Sequence, residues 1–275
     1  MFQMKITPDQ IAILDSFRIT RLKEDDSLLR NVGAFENSKN ENLVENLVGD
    51  AFDDDDKNRC ACYVVQDRDG EILCYFSIKC GLLYSEFEEL KKFEKFKSHK
   101  IKLMELEQRS DDCRVQEYIE EIRKKLKEAK DDIEKLLGKF DSIPPNKQVA
   151  KSFPSVELTH FCVNETYRKK WQTYGFSARN RIGSTMFWHV IVGIVEKIRS
   201  LTGCEYLYLF AADDTPDRHL VNHYKNMMGL REEMAMSALQ PIYDFNCTFL
   251  CAAIDSLLNA RDEFYKDFNV TEELV

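Results

Sequence analysis

Two stretches decide the fold: Val156-Glu-Leu-Thr-His-Phe-Cys-Val163 and Gly183-Ser-Thr-Met-Phe-Trp-His-Val-Ile-Val-Gly-Ile-Val-Glu-Lys-Ile-Arg-Ser-Leu201. The first is a short β-rich run. The second has helical apolar spacing, with Gly183 before it and Gly203 after it. Next comes Tyr206-Leu-Tyr-Leu-Phe-Ala211, nearly continuous in apolar residues, as in a strand buried on both faces. Residues 220–228 read as a helix, with Gly229 suited to its C-terminal cap. Stretches 234–239 and 247–254 read as two further strands around Pro241, followed by a last helix.

Upstream the pattern is mixed. Residues 17–22 alternate like a strand, and 24–52 have helix-like spacing. The four-Asp run Asp53 to Asp56 reads as a solvated loop. Stretches 61–65 and 72–78 flank Asp69-Gly70, the strongest short hairpin signal. Residues 86–140 differ in kind, with 15 residues of each charge sign. There Val115, Ile119, Ile122, Leu126, Ala129, Ile133 and Leu136 recur with a 3.5-residue period, one narrow coiled-coil-like seam. With an earlier helical stretch at 87–107, this predicts a projecting helical hairpin, ended by Asp141-Ser-Ile-Pro-Pro145. Two helices of one hairpin can cover such a seam between them; a second subunit or a protein partner can also cover it. The expected organisation is 1–84, an inserted hairpin at 85–140, and 141–275 carrying the site.

Composition narrows the function classes. Of 275 residues, 39 are Lys or Arg and 48 Asp or Glu, so the formal charge is 39 − 48 = −9. That balance argues against a general nucleic-acid or anionic-membrane binder. Ten Gly and six Pro argue against a turn-dense all-β chain. No apolar run reaches the roughly 18 residues of a membrane span, and residues 1–15 lack the pattern of a signal peptide. Nine cysteines, with no CxxC pair, read as reduced thiols in a cytoplasmic protein. His219 and His223 lie i, i+4, but the HExxH pattern is absent and no metal site is expected.

Arg168, Lys169, Lys170, Arg179 and Arg181 place five cations within 14 residues just before the helix at Gly183. A helix N-terminus offers unpaired N–H groups and a partial positive charge, so the pair of features suits a phosphate-rich ligand. The order strand, glycine-started helix, strand, helix with Asn222 and Tyr224 before Gly229-Leu230, then two strands, resembles the GNAT superfamily of acyl-CoA N-acyltransferases. The resemblance covers roughly 153–255 well and 15–84 loosely, and does not cover the hairpin. The family's Arg/Gln-x-x-Gly-x-Gly/Ala motif aligns with Ala178-Arg179-Asn180-Arg181-Ile182-Gly183, where only the last glycine matches. The loop after Val163 is about ten residues longer than the family's usual one.

The resemblance implies an α/β (α+β) fold: a mixed, mostly antiparallel central sheet flanked by helices, with the helical hairpin inserted. It implies acetyl-CoA as acyl donor and direct transfer to a primary amine. Backbone groups of Phe161, Cys162 and Val163 would hold the pantetheine arm. Amides of Arg181, Ile182, Gly183 and Ser184 would hold the pyrophosphate, with Arg179 and Arg181 adding guanidinium contacts and Asn222 lying nearby. Glu157 is the expected general base and His160 the second candidate, on the opposite strand face by simple alternation. Tyr224 would protonate the departing thiolate. The other reading is a catalytically inactive GNAT-like module that recruits a protein through the hairpin.

Overall fold

This computed structural model describes residues 6–85, 102–103, 106, 116, 118–127, 151–177, 180–213, 215–233, 236–240, 247–266 and 268. The chain divides into two compact units. One comprises Met1–Leu83, Phe153–Met234 and Ala238–Val275, the other Tyr84–Ser152 with Ala235–Ser237.

In the first unit the strands β1 (Arg18–Arg21), β2 (Ala61–Gln66), β3 (Ile72–Ser85), β4 (Lys151–Val163), β5 (Tyr206–Ala211) and β7 (Thr248–Ala253) form one sheet in the order β1-β2-β3-β4-β5-β7. The β2–β3 hairpin turns at Gly70, whose φ of +84° suits only a residue without a Cβ. Asn164 N–H donates to the Leu73 carbonyl, and Thr159 Oγ1 to that of Ser77, so β4 runs antiparallel to β3. β4 and β5 are parallel. That pair is joined by the long crossover a parallel pair requires. The crossover carries α5 (Arg168–Thr173) and α6, which runs Ile182–Met186, passes through one π-helical turn at Phe187–Ile191, and continues as Val192–Thr202. The expected mixed sheet with flanking helices is therefore present.

Each sheet face has its own core. On one face Val65, Phe76, Leu207, Leu209 and Leu250 pack with Met186, Phe187 and Ile191 of α6 and Leu257 of α8 (Ile254–Lys266). On the other, Cys62, Val64 and Tyr75 lie among Leu28 of α2 (Leu28–Val32), Leu47 of α3 (Glu41–Val48) and Ala51 of α4 (Ala51–Asp56). The N-terminal helix α1 (Pro8–Leu14) is fixed by a capping box between Thr7 and Gln10. After β5 comes α7 (His219–Met228), and both α6 and α7 end on left-handed glycines, Gly203 and Gly229.

The Asp53–Asp56 expectation fails. This run is the body of α4, and Asp55 is fully buried, accepting from Arg21 Nε at 2.6 Å and from the Lys23 amide at 3.0 Å. An ion pair across 34 positions cannot be seen in a local run of charge. The 24–52 stretch, helix-like in spacing, holds α2, α3 and the start of α4.

In the second unit, Tyr84 and Ser85 pair with Ser237 and Met236 of β6 (Met236–Ser237). Residues 118–127 are helical, with Ile119 and Ile122 buried between exposed charged positions. These are two of the seam residues. The remaining seam positions and the helix expected at 87–107 fall almost wholly outside the described residues. No helix among the described residues is long and apolar enough to cross a membrane.

Candidate active site

Strand β4 pairs with β5 only at Ser155–Tyr206, Val156–Leu207 and Glu157–Tyr208. Both strands continue, β4 to Val163 and β5 to Ala211, while the other edge of β5 stays paired with β7 as far as Ala211–Thr248. The sheet is thus open between the ends of β4 and β5. Backbone groups alternate in direction along a strand, and the Asn164 amide points to β3. Those of Phe161 and Val163 therefore point into the opening, and those of Cys162 point away from it. The Val163 carbonyl is taken by Asn37 Nδ2 at 2.9 Å, leaving its N–H and both groups of Phe161 on the open edge.

The start of α6 adjoins this edge. A Cβ on Gly183 would meet Val163 Cγ2 at 3.5 Å, an ordinary contact. The first intrahelical bond is Thr185 N–H to the Arg181 carbonyl at 3.0 Å, so the amides of Ile182, Gly183 and Ser184 lack helical acceptors. Arg181 is exposed and extended, while Ile182 is buried and Ser184 Oγ is turned back to the Arg181 carbonyl. Arg179 lies outside the described residues.

The mixed, mostly antiparallel sheet flanked by helices is the fold that the sequence resemblance implied. No family model matches the chain, and no curated protein matches it. Among solved structures it is similar to a tyrosine-to-phenylalanine mutant of the AtaT toxin, at 13% identity and TM-score 0.49, over 90% of this chain and 94% of that one. It is similar also to a mutant of KacT, at 11% identity and TM-score 0.47, over 89% and 99%. AtaT complexed with acetyl-methionyl-tRNAfMet gives 13% and 0.47, over 89% and 98%. Likeness at that level carries no argument about activity or individual residues.

Val156 and Leu158 belong to the core under α6, and so do Phe161 and Val163, whereas Cys162 belongs to the opposite core. Side-chain alternation in β4 therefore slips by one residue between Leu158 and Phe161, as at a β-bulge. The slip places Glu157 and His160 on the same face, correcting the expectation that simple alternation would separate them. Glu157 is buried, accepts from Tyr208 Oη at 2.8 Å on Oε2, and pairs with Lys79 Nζ at 3.2 Å on Oε1. Burial, then the bond to Glu157, pushes the Tyr208 phenol well above its ordinary range. Burial also holds His160 below the ordinary histidine value, opposed by Asp54 and Glu157 and assisted by Lys79.

Tyr224 is packed against the α6 core, and burial pushes its phenol up to about 12, with the nearby Cys162 adding to the shift. The hydroxyl stays protonated at neutral pH. Asn222 is exposed and its Nδ2 donates to the Asp217 carbonyl at 2.9 Å. Burial pushes the Cys162 thiol up to about 12, disfavouring the thiolate form. Two members of the cation cluster pair with carboxylates: Lys170 meets Asp67 at 2.6 Å, Asp69 at 2.6 Å and Glu71 at 2.8 Å, and Arg168 meets Glu165 at 3.5 Å. Trp171, on the same short helix, stacks among Phe17, Tyr174 and Phe176 and donates to the Asn180 carbonyl, tying the long loop into the core. Among the described residues no cluster of three metal-ligating side chains occurs.

Sequence reasoning missed Lys79, Gly81 and Tyr208. A Cβ on Gly81 would come within 2.5 Å of the Tyr208 ring, so this glycine makes room for the phenol that reaches Glu157. The signals existed: a lone lysine and a glycine inside a strand run, and alternating tyrosines in Tyr206-Leu-Tyr208.

Proposed function

We propose that the protein is an N-acyltransferase that moves an acyl group directly from acyl-CoA to a primary amine. The observation that carries this reading is the β4–β5 pairing that stops at Glu157–Tyr208, with the positive end of α6 beside Val163. In this reading the free edge groups of Phe161 and Val163 hold the pantetheine amides, and the amides of Ile182 to Ser184 hold the pyrophosphate. Arg181 adds a side-chain contact to phosphate.

The amine nitrogen attacks the thioester carbonyl carbon, and the carbon–sulfur bond breaks. Glu157 takes the amine proton, directly or through water. Its oxygens retain lone pairs beyond those used by Tyr208 and Lys79, which fix the carboxylate in place. Tyr224 gives its proton to the departing thiolate, so the products are the amide and free CoA.

Calorimetric titration with acetyl-CoA tests the donor site. One-site binding is expected, weakened roughly fivefold by Arg181→Ala, the size of a solvent-exposed charge-assisted contact of about 1 kcal/mol. Tyr224→Phe should lower turnover about 10²-fold in a thiol-release assay against an amine panel while leaving that affinity unchanged. Absence of binding at millimolar acetyl-CoA would overturn the reading and leave the protein-recruiting module.

A further inference from the structure

His160 was expected as a base, and its surroundings argue for the opposite behaviour. Its Nδ1 is buried and has no hydrogen-bond partner. Nε2 makes no hydrogen bond among the described residues and, unlike Nδ1, is not fully buried, so it is the ring nitrogen that solvent or a ligand reaches. An imidazole carries one proton when neutral and two when charged. A buried N–H without an acceptor costs about 1–3 kcal/mol, and orphaned buried N–H groups are rarer in folded proteins than under-satisfied acceptors. The proton of the neutral ring therefore resides on Nε2, and adding a second proton would create an unpaired Nδ1–H.

The groups facing His160 do not remove that penalty. They are Asp54 on α4, Lys79 on β3 and Glu157 on β4. Asp54 and Glu157 favour the charged ring, Lys79 opposes it, and Glu157 is already committed to Lys79 and Tyr208.

We propose that His160 is a neutral hydrogen-bond donor that points Nε2–H from the Glu157 face of β4 toward an oxygen of the reacting complex, and does not accept the amine's proton. This rests on the acyltransferase reading and divides the labour on that face: Glu157, held by Lys79 and Tyr208, takes the proton, and His160 holds an oxygen. A fixed donor at a developing negative charge accounts for about 10²-fold in turnover in comparable sites.

Two measurements on the full chain test it together. Long-range ¹H–¹⁵N NMR of the histidine rings reads the tautomer without any activity: a protonated Nε2 and bare Nδ1 at pH 7 are expected for His160. Turnover with acetyl-CoA and the amine panel is compared for wild type, His160→Gln and His160→Leu. Glutamine keeps a donor near the Nε2 position but cannot act as a base. His160→Gln should retain turnover within about fivefold with an unshifted pH profile, and His160→Leu should lose about 10²-fold. A protonated Nδ1, a glutamine variant as impaired as the leucine one, or two fully active variants would each overturn the proposal. If the wild type has no turnover while the tautomer is as expected, the acyltransferase reading has failed, and the donor role falls with it.

Discussion

Strand β5 has two edges with different fates. Toward β7 it pairs along its whole length, from Tyr206–Ala253 to Ala211–Thr248. Toward β4 it pairs for three residues and stops. The same apolar side chains, Leu207 and Leu209, feed the core under α6 in both cases, so hydrophobic burial does not distinguish the edges. What differs is where the backbone hydrogen bonds go. On the β7 side they close the sheet, and on the β4 side they are left for something else. An exposed strand edge is a liability in a folded protein, and a ligand that hydrogen-bonds to it is one way to satisfy it. The β1–β3 side of the molecule repeats the closed pattern, with its own small core and the buried Arg21–Asp55 pair.

That contrast can be broken from the closed side first. Asp55→Ala would leave the half-buried Arg21 guanidinium and the Lys23 amide without their acceptor. The expected cost is about 3 kcal/mol in urea unfolding, with acetyl-CoA affinity unchanged at temperatures where the variant is folded. A loss below 1 kcal/mol would show that the pair is not what holds α4 on the sheet.

At the boundary between the closed and open edges, Gly81→Ala would drive a methyl into the Tyr208 ring. Its expected cost is about 1–3 kcal/mol, and it should depress turnover as well, because the displaced phenol no longer steadies Glu157. Combined with Tyr208→Ala the stability cost of Gly81→Ala should largely vanish, and additive costs would refute the clash.

The smallest effect is with pH. His160, His189 and His223 are each held below the ordinary histidine value, chiefly by burial. A depressed folded value means the unfolded chain binds these protons more readily. Their contribution to stability is present above the ordinary value near 6.5 and is lost as pH falls through the folded values. The melting temperature should therefore fall between pH 7 and pH 5, and His160→Gln should flatten part of that fall. A melting temperature that does not change would contradict the depressed values. Arg181 contributes to the shift at His223, so Arg181→Ala should weaken the dependence slightly.

Much of this was legible in the sequence because it is local. The Asp-Gly hairpin, the strand at 206–211, the helix after Arg181 and the two glycine caps each depend on residues a few positions apart. Glu157, His160 and Tyr224 were named from element order, and the structure puts Glu157 where the β4–β5 pairing stops. The failures are equally specific. Five nearby cations read as one cluster, yet Lys170 is spent on three carboxylates of the β2–β3 turn, which local spacing does not show. Four aspartates read as a solvated loop, yet one is buried against β1.

The sequence by itself determined the order of strands and helices and the mixed sheet, because backbone preference and apolar periodicity act over short distances. Only the tertiary structure decided which side chains face each other. The one-residue slip in β4 that brings Glu157 and His160 together depends on how two cores on opposite sheet faces fill, and the Lys79–Glu157–Tyr208 contact joins three strands. Packing and ion pairing between distant segments set those facts, and neither leaves a trace in local spacing.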